Sequence, residues 1–172
     1  MKIIRQLPPQ RWEEYKKIKI MSVQTENLAF SESLDKLNSR TDEEWQKELE
    51  TLEEEHKILI FVENTYSRIV GFAGAHIHKN PRLAHNAFFS SLYVLPEFRN
   101  KGLGKQLIEE RITLVKEKYP STTNLHCEIV TTQLASIEIH KKLGFVITGE
   151  IKNLFKVNDQ YYSEYWMQKS IE

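Results

Sequence analysis

The segment "LYVLPEFRNKGLGKQL", residues 92–107, carries the residue types from which an anion site is built. A strand-like run ends near Pro96, the loop supplies Arg99, Asn100, Lys101, Gly102, Leu103, Gly104 and Lys105, and a helical pattern begins at once. Glycines allow positive φ and close approach of the backbone to a ligand, so several N–H groups can converge. The helix start adds partial positive charge, and Arg99 and Lys101 add full charges. That chemistry suits phosphate, and best a pyrophosphate; the same residues would also serve as a plain basic helix start. Spacing excludes two better-known phosphate loops. Arg99 and Gln106 break G-x-x-x-x-G-K-[ST], and Leu107 stands where G-x-G-x-x-G needs its third glycine.

A second candidate is His140, at the edge of the apolar stripe of "SIEIHKKLGF". An imidazole there is either a helix-surface residue or the holder of a proton that a reaction needs. His76 and His78 alternate on a strand pattern without an acidic or Cys partner at ligand spacing, so no metal is expected. The single cysteine, Cys127, rules out an intramolecular disulfide and fits a reducing compartment. It alternates with Leu125 and Ile129 and reads as a small core residue.

These residues need a scaffold. At 172 residues with 40% hydrophobic content, a single domain over 1–172 with one substantial core is expected. Basic and acidic residues balance at 24 each, which argues against a nucleic-acid partner. No apolar run reaches the length of a membrane span, and the N-terminus lacks a signal-peptide core, so a cytoplasmic protein is the expectation.

Along the chain, "KIIRQL" reads as a short strand and "PPQRWEEYKKIKIMSV" as a helix with Pro at its start. Residues 24–40 are polar and broken, with Glu26 and an apolar "NLAF" anchor, and should cover an acceptor pocket. "TDEEWQKELETLEEE" is an acidic helix opened by a Thr41–Glu44 capping box. Two strands around Asn64–Ser67 make a hairpin, "HNAFFSSLYVLP" is a third strand, and Gly104–Tyr119 is a helix with apolar Leu107, Ile108, Ile112 and Val115. "TNLHCEIV" is a strand, "TQLASIEIHKKLG" a helix, and the ending a hairpin around "NDQ". Interleaved helices and strands give an α+β, three-layer α-β-α fold around a mixed sheet.

Two of these segments, at their separation, resemble the GNAT N-acetyltransferases. "YVLPEFRNKGLGKQLIEERI" is similar to that family's acetyl-CoA-binding segment, and "LHCEIVTTQLASIEIHKKLGF" to its later strand and helix. Within that family the pattern is similar to ribosomal-protein N-terminal acetyltransferases and other bacterial small-amine acetyltransferases.

The resemblance implies a splayed, largely antiparallel sheet of about seven strands with helices on both faces. Acetyl-CoA, as co-substrate, would lie between the 86–95 and 123–130 strands. Its pantetheine would bond to the backbone of Leu92, Tyr93 and Val94, with the N–H of Val94 facing the oxyanion, and its pyrophosphate would rest on residues 100–105. Gln133 and Ser136 stand where the family keeps Asn and Ala at the cofactor. Aligning Gly144-Phe145 puts Glu128 on the family's base and His140 on its acidic tyrosine. The implied activity is direct acetyl transfer to a primary amine, on a small molecule or a protein N-terminus. A non-catalytic acyl-CoA-binding module is the alternative, and a homodimer is one state open to the chain.

Overall fold

The computed structural model describes residues 1–171. In chain order the elements are β1 (Lys2–Ile4), α1 (Trp12–Thr25), α2 (Leu34–Ser39), α3 (Asp42–Glu50), β2 (Lys57–Glu63), β3 (Ile69–Ile77), β4 (Asn86–Val94), α4 (Leu103–Lys118), β5 (Asn124–Val130), α5 (Leu134–Lys142), β6 (Val146–Val157) and β7 (Gln160–Ser170). The strands form one sheet in the order β1-β2-β3-β4-β5-β7-β6. Every neighbouring pair is antiparallel except β4 and β5, which run parallel.

Local sequence explains where the helices begin. Thr41 and Glu44 exchange both capping-box hydrogen bonds at the start of α3, as its S/T-x-x-E pattern predicts. Ser33 caps the short α2, which lies in the stretch the polar composition marks as broken. A turn of 3-10 helix at Pro9–Arg11 leads into α1.

Helices α1 and α3 cover one face of the sheet. Tyr15 meets Phe61 and Phe72, which are register partners on β2 and β3, and packs edge-on against Trp45 with ring centroids 5.6 Å apart. Helix α4 lies across β2, β3 and β4 and touches α5. Strand β2 is buried at every position from Ile58 to Glu63, as a strand covered on both faces must be. The cover ends before the far edge, where β6 is exposed at every residue from 146 to 154.

The feature that positions a site is the parallel pair. β4 and β5 are in register only from Asn86↔Asn124 to Phe88↔His126. Beyond Phe88 and His126 the two strands part, and a cleft opens in the middle of the sheet.

Candidate active site

The cleft has a volume of about 200 Å³ and lies between the parted ends of β4 and β5. Its β4 wall runs from Phe88 to Leu92 and includes Ser90 and Ser91. Phe72 pairs with Tyr93 and Gly74 with Ser90, so Ser91 and Leu92 stand opposite Ala73 alone, a bulge of two residues against one. Ser91 takes a φ of 51°, a left-handed conformation that a non-glycine residue holds only where its surroundings enforce it.

Arg111 of α4 is the principal enforcer. Its Nη1 donates to Gly74 O at 2.8 Å and to Ser90 O at 2.9 Å, tying the bulge to the neighbouring strand. The guanidinium lies 4.3 Å from the Phe89 ring centroid and the side chain is 1% exposed. Its Nε and Nη2 are buried without a partner among the described residues. Burial pushes this group below the ordinary arginine value, and it remains a cation at neutral pH.

The opposite side of the cleft is acidic. Glu128 on β5 is exposed at the opening, and burial raises its carboxyl above the usual range. Glu164 on β7 stands across from Val130, while Trp166 stands across from Glu128; the two glutamates therefore share one face of adjacent strands. Glu164 is 6% exposed, and burial, with the charge of Glu128 added, pushes its carboxyl up to about 7. A third carboxylate, Glu32, lines the cleft and pairs at 2.8 Å with Lys19, itself buried under Phe30 and Phe72.

The segment around 28–32 does cover the cleft. Leu28, Ala29 and Phe30 line it, and Phe30 stacks on Phe72 and meets Tyr93. Glu26 is held elsewhere, in an ion pair with Arg99 at 2.7 Å.

His140, Gln133, Ser136 and Cys127 also line the cleft. His140 is buried, and its Nδ1 lies 2.8 Å from Ser136 O. A carbonyl only accepts, so Nδ1 carries the proton and Nε2 presents a lone pair. Burial, with the charge of Arg111 added, pushes the imidazole down to about 4. The ring is therefore neutral at pH 7 with its one proton committed to Ser136, a geometry that does not favour proton delivery to a leaving group. Cys127 is buried, and desolvation pushes its thiol up to about 12, as expected for an inert core residue.

The residues expected to hold the cofactor fall into three groups. Leu92 lies on the cleft wall, whereas Tyr93 and Val94 sit in the ladder opposite Phe72 and Gly71. Tyr93 is 3% exposed, its hydroxyl 2.9 Å from Thr25 Oγ1, and Val94 O accepts from Arg99 Nε at 2.9 Å. The cleft-lining stretch of β4 is Phe88–Leu92; pairing with β3 takes only one edge of Tyr93 and Val94, and their other edge lies beyond the point where β5 parts from β4.

The loop from Arg99 to Lys105 has the form of an anion cradle. Asn100 and Gly102 adopt φ of 59° and 77°, and Gly102 is the N-cap of α4 without a side-chain bond. Gln106 N bonds back to Gly102 O at 3.0 Å, leaving the N–H groups of Leu103, Gly104 and Lys105 without intrahelical acceptors. Lys101 folds back to Glu97 O, and Lys105 pairs with Glu109, so the free donors of this loop are mostly backbone. Together the loop, the parted strands and the orphaned guanidinium donors fit an elongated ligand bearing a phosphate group at one end.

Two residues of the cleft escape a reading of the sequence. Arg111 is a charged residue and so is not counted among the apolar positions of its helix, yet the helix turns Leu107, Arg111, Leu114 and Val115 inward. Glu164 looks like one acid of a solvated hairpin. The i, i+4 spacing of Leu107 and Arg111 was the available signal for the first, and nothing local marked the second. Among the described residues, no group of three or more His, Cys, Asp or Glu is placed to hold a metal ion. His76, His78 and His126 do neighbour one another on the sheet. No helix among the described residues is long and apolar enough to cross a membrane.

Comparison with known proteins returns a consistent picture. The family model described as the acetyltransferase (GNAT) family matches residues 22–145. The L-amino acid N-acetyltransferase AaaT of Escherichia coli is 25% identical over 101 residues, covering 59% of this chain and 61% of that protein's length. A ribosomal-protein-alanine N-acetyltransferase from Brucella melitensis shares the fold at TM-score 0.83 and 22% identity, over 99% of this chain and 100% of the other. A phosphinothricin acetyltransferase (Pat) from Sinorhizobium meliloti, solved in complex with AcCoA, matches at TM-score 0.82 and 19% identity, over 99% and 88% of the two chains.

Proposed function

The chain belongs to the acetyltransferase (GNAT) family, and from that premise we propose that it moves an acetyl group from acetyl-CoA to a primary amine. The observation that carries this reading is the cleft itself: a free-backbone strand wall, an N–H-rich helix start and a buried carboxylate at one opening. Acetyl-CoA supplies an activated acyl carbon and a thiolate leaving group.

Residues 100–105 would hold its pyrophosphate, and the open edge of β4 at Leu92, Tyr93 and Val94 its pantetheine. Gln133 and Ser136, on the other wall, stand within the same cleft. An N–H of the bulge would face the developing oxyanion, where a fixed dipole acts in a water-poor site.

The amine must be neutral to attack, so a base is needed on the acceptor side. Glu164, held at about 7 beside Glu128, is poised for that role, and Glu128 contributes by keeping its partner's proton affinity high. Both carboxylates and Glu32 make the cleft attractive to a cationic acceptor. An L-amino acid, a ribosomal-protein alanine and phosphinothricin are the acceptors in the relatives' names, and each offers an amine.

Thiol release from acetyl-CoA, measured across a panel of amino acids, N-terminal peptides and small amines, tests the reading. Acceptor-dependent release supports it. Acetyl-CoA binding without release for any amine would overturn catalysis and leave a binding module.

A further inference from the structure

A thioester that gives up its acyl group leaves a thiolate behind, and the protonated phenol that the family resemblance places near it is absent here. His140 occupies that position with its single proton bonded to Ser136 O. Another group in the cleft is better placed to receive the negative charge.

Arg111 has one nitrogen engaged and two, Nε and Nη2, buried without partners. No carboxylate pairs with it among the described residues. A buried cation without a counter-ion is costly to keep, several kcal/mol by general estimates, and a fold retains one where a ligand supplies the missing partner. The side chain forms part of the cleft wall, together with Cys127 and His140.

Its position matters as much as its charge. Arg111 rises from α4 onto the Phe89 ring, and Phe89 shares a face with Cys127 because Ala87 and Leu125 are partners in the parallel ladder. Glu128 and Glu164 occupy the alternate face of β5 and β7. An amine entering past the carboxylates and a sulfur leaving toward α4 would therefore be on opposite sides of the acyl carbon. The other cation at the cleft, Lys19, is already neutralised by Glu32.

We propose that Arg111 is the binding group for the departing CoA thiolate, holding the sulfur as an anion where relatives would protonate it. This rests on the acetyl-CoA reading above. In the step, the amine nitrogen forms the C–N bond while the amine proton passes to Glu164. The C–S bond breaks with its electron pair on sulfur, and Nε–H and Nη2–H of Arg111 donate to that sulfur. The thiolate takes a proton from water on release, and Glu164 returns its own to solvent, so charge and atoms balance. The family's acidic side chain is then unnecessary, which accounts for an imidazole at position 140 that has no proton to give.

The experiment is a titration of the thiol of bound CoA, followed by thiolate absorbance, against free CoA in the same buffer. Cys127, held near about 12, is silent in that window. The expected result is a bound thiol that ionises at least one pH unit below free CoA, a tenfold gain in thiolate. CoA should accordingly gain about tenfold in affinity over desulfo-CoA as pH rises through the titration, a gain lost in Arg111→Gln and partly kept in Arg111→Lys. A bound thiol that titrates like free CoA overturns the proposal in the unaltered protein, whatever the variants do. Failure of CoA to bind at all overturns the acetyltransferase reading instead.

Discussion

Glu164 should be a residue whose removal makes the protein more stable and less active. Its carboxyl keeps a proton up to about pH 7 in the folded chain, against an ordinary value of 4.5. Between those values the folded state binds more protons than the unfolded one, so stability falls as pH rises through the window and is lowest above pH 7. The difference corresponds to about 3 kcal/mol, a ceiling because water in the cleft screens the charge. Glu164→Gln removes that cost and keeps the shape. At pH 8 the variant should gain up to about 3 kcal/mol, or roughly 6–12 °C in Tm for a chain of this size.

His140 contributes in the opposite sense. It stays neutral in the fold down to about 4 although its ordinary value is 6.5. Its stability contribution is complete above 6.5 and is lost as pH falls toward 4. In the unaltered chain these two contributions oppose one another between about pH 4.5 and 6.5. In Glu164→Gln the His140 contribution is no longer offset by that carboxyl, so stability should climb more steeply with pH across the same range than in the parent. Chemical denaturation at several pH values reads this directly. The same variant should lose about a hundredfold or more in kcat and lose the rate limb near pH 7. A Glu164→Gln protein no more stable than its parent at pH 8, with the same limb in its rate profile, would refute the reasoning.

Two other outcomes follow from the geometry. Gly102 is the N-cap of α4 at φ 77° with open space around its Cα, so Gly102→Val should fail through backbone conformation, not crowding. A cost of about 1–2 kcal/mol falls on the loop that presents the N–H groups, so Tm should drop by roughly 2–8 °C and CoA affinity by calorimetry should fall roughly tenfold. Cys127 should resist thiol reagents in the native protein and react in step with global unfolding; rapid stoichiometric labelling of the folded chain would contradict its burial.

Much of the fold was readable before any coordinates. The capping box at Thr41, the hairpins, the strand–loop–helix from Leu92 to Lys105 and the Gly144 stop after α5 are local signals, because each is set by dihedral preference or hydrogen bonding within a few residues. The short α2 leaves no pattern in the sequence because six residues give too little period to register. The family motifs located both walls of the cleft for the same local reason.

What the sequence by itself determined is therefore the order of elements, the strand–loop–helix from Leu92 to Lys105 and the residues at 128 and 140 that face the cleft. Only tertiary structure decided their chemistry. A proton's position on His140 depends on a carbonyl one turn away and a guanidinium from another helix, and the proton affinity of Glu164 depends on a carboxylate from a neighbouring strand. Arg111 became an unpaired cation only when α4 rotated it beneath the bulge of β4. Burial and the charges brought near by folding set ionisation, and neither is a property of the residues read in order.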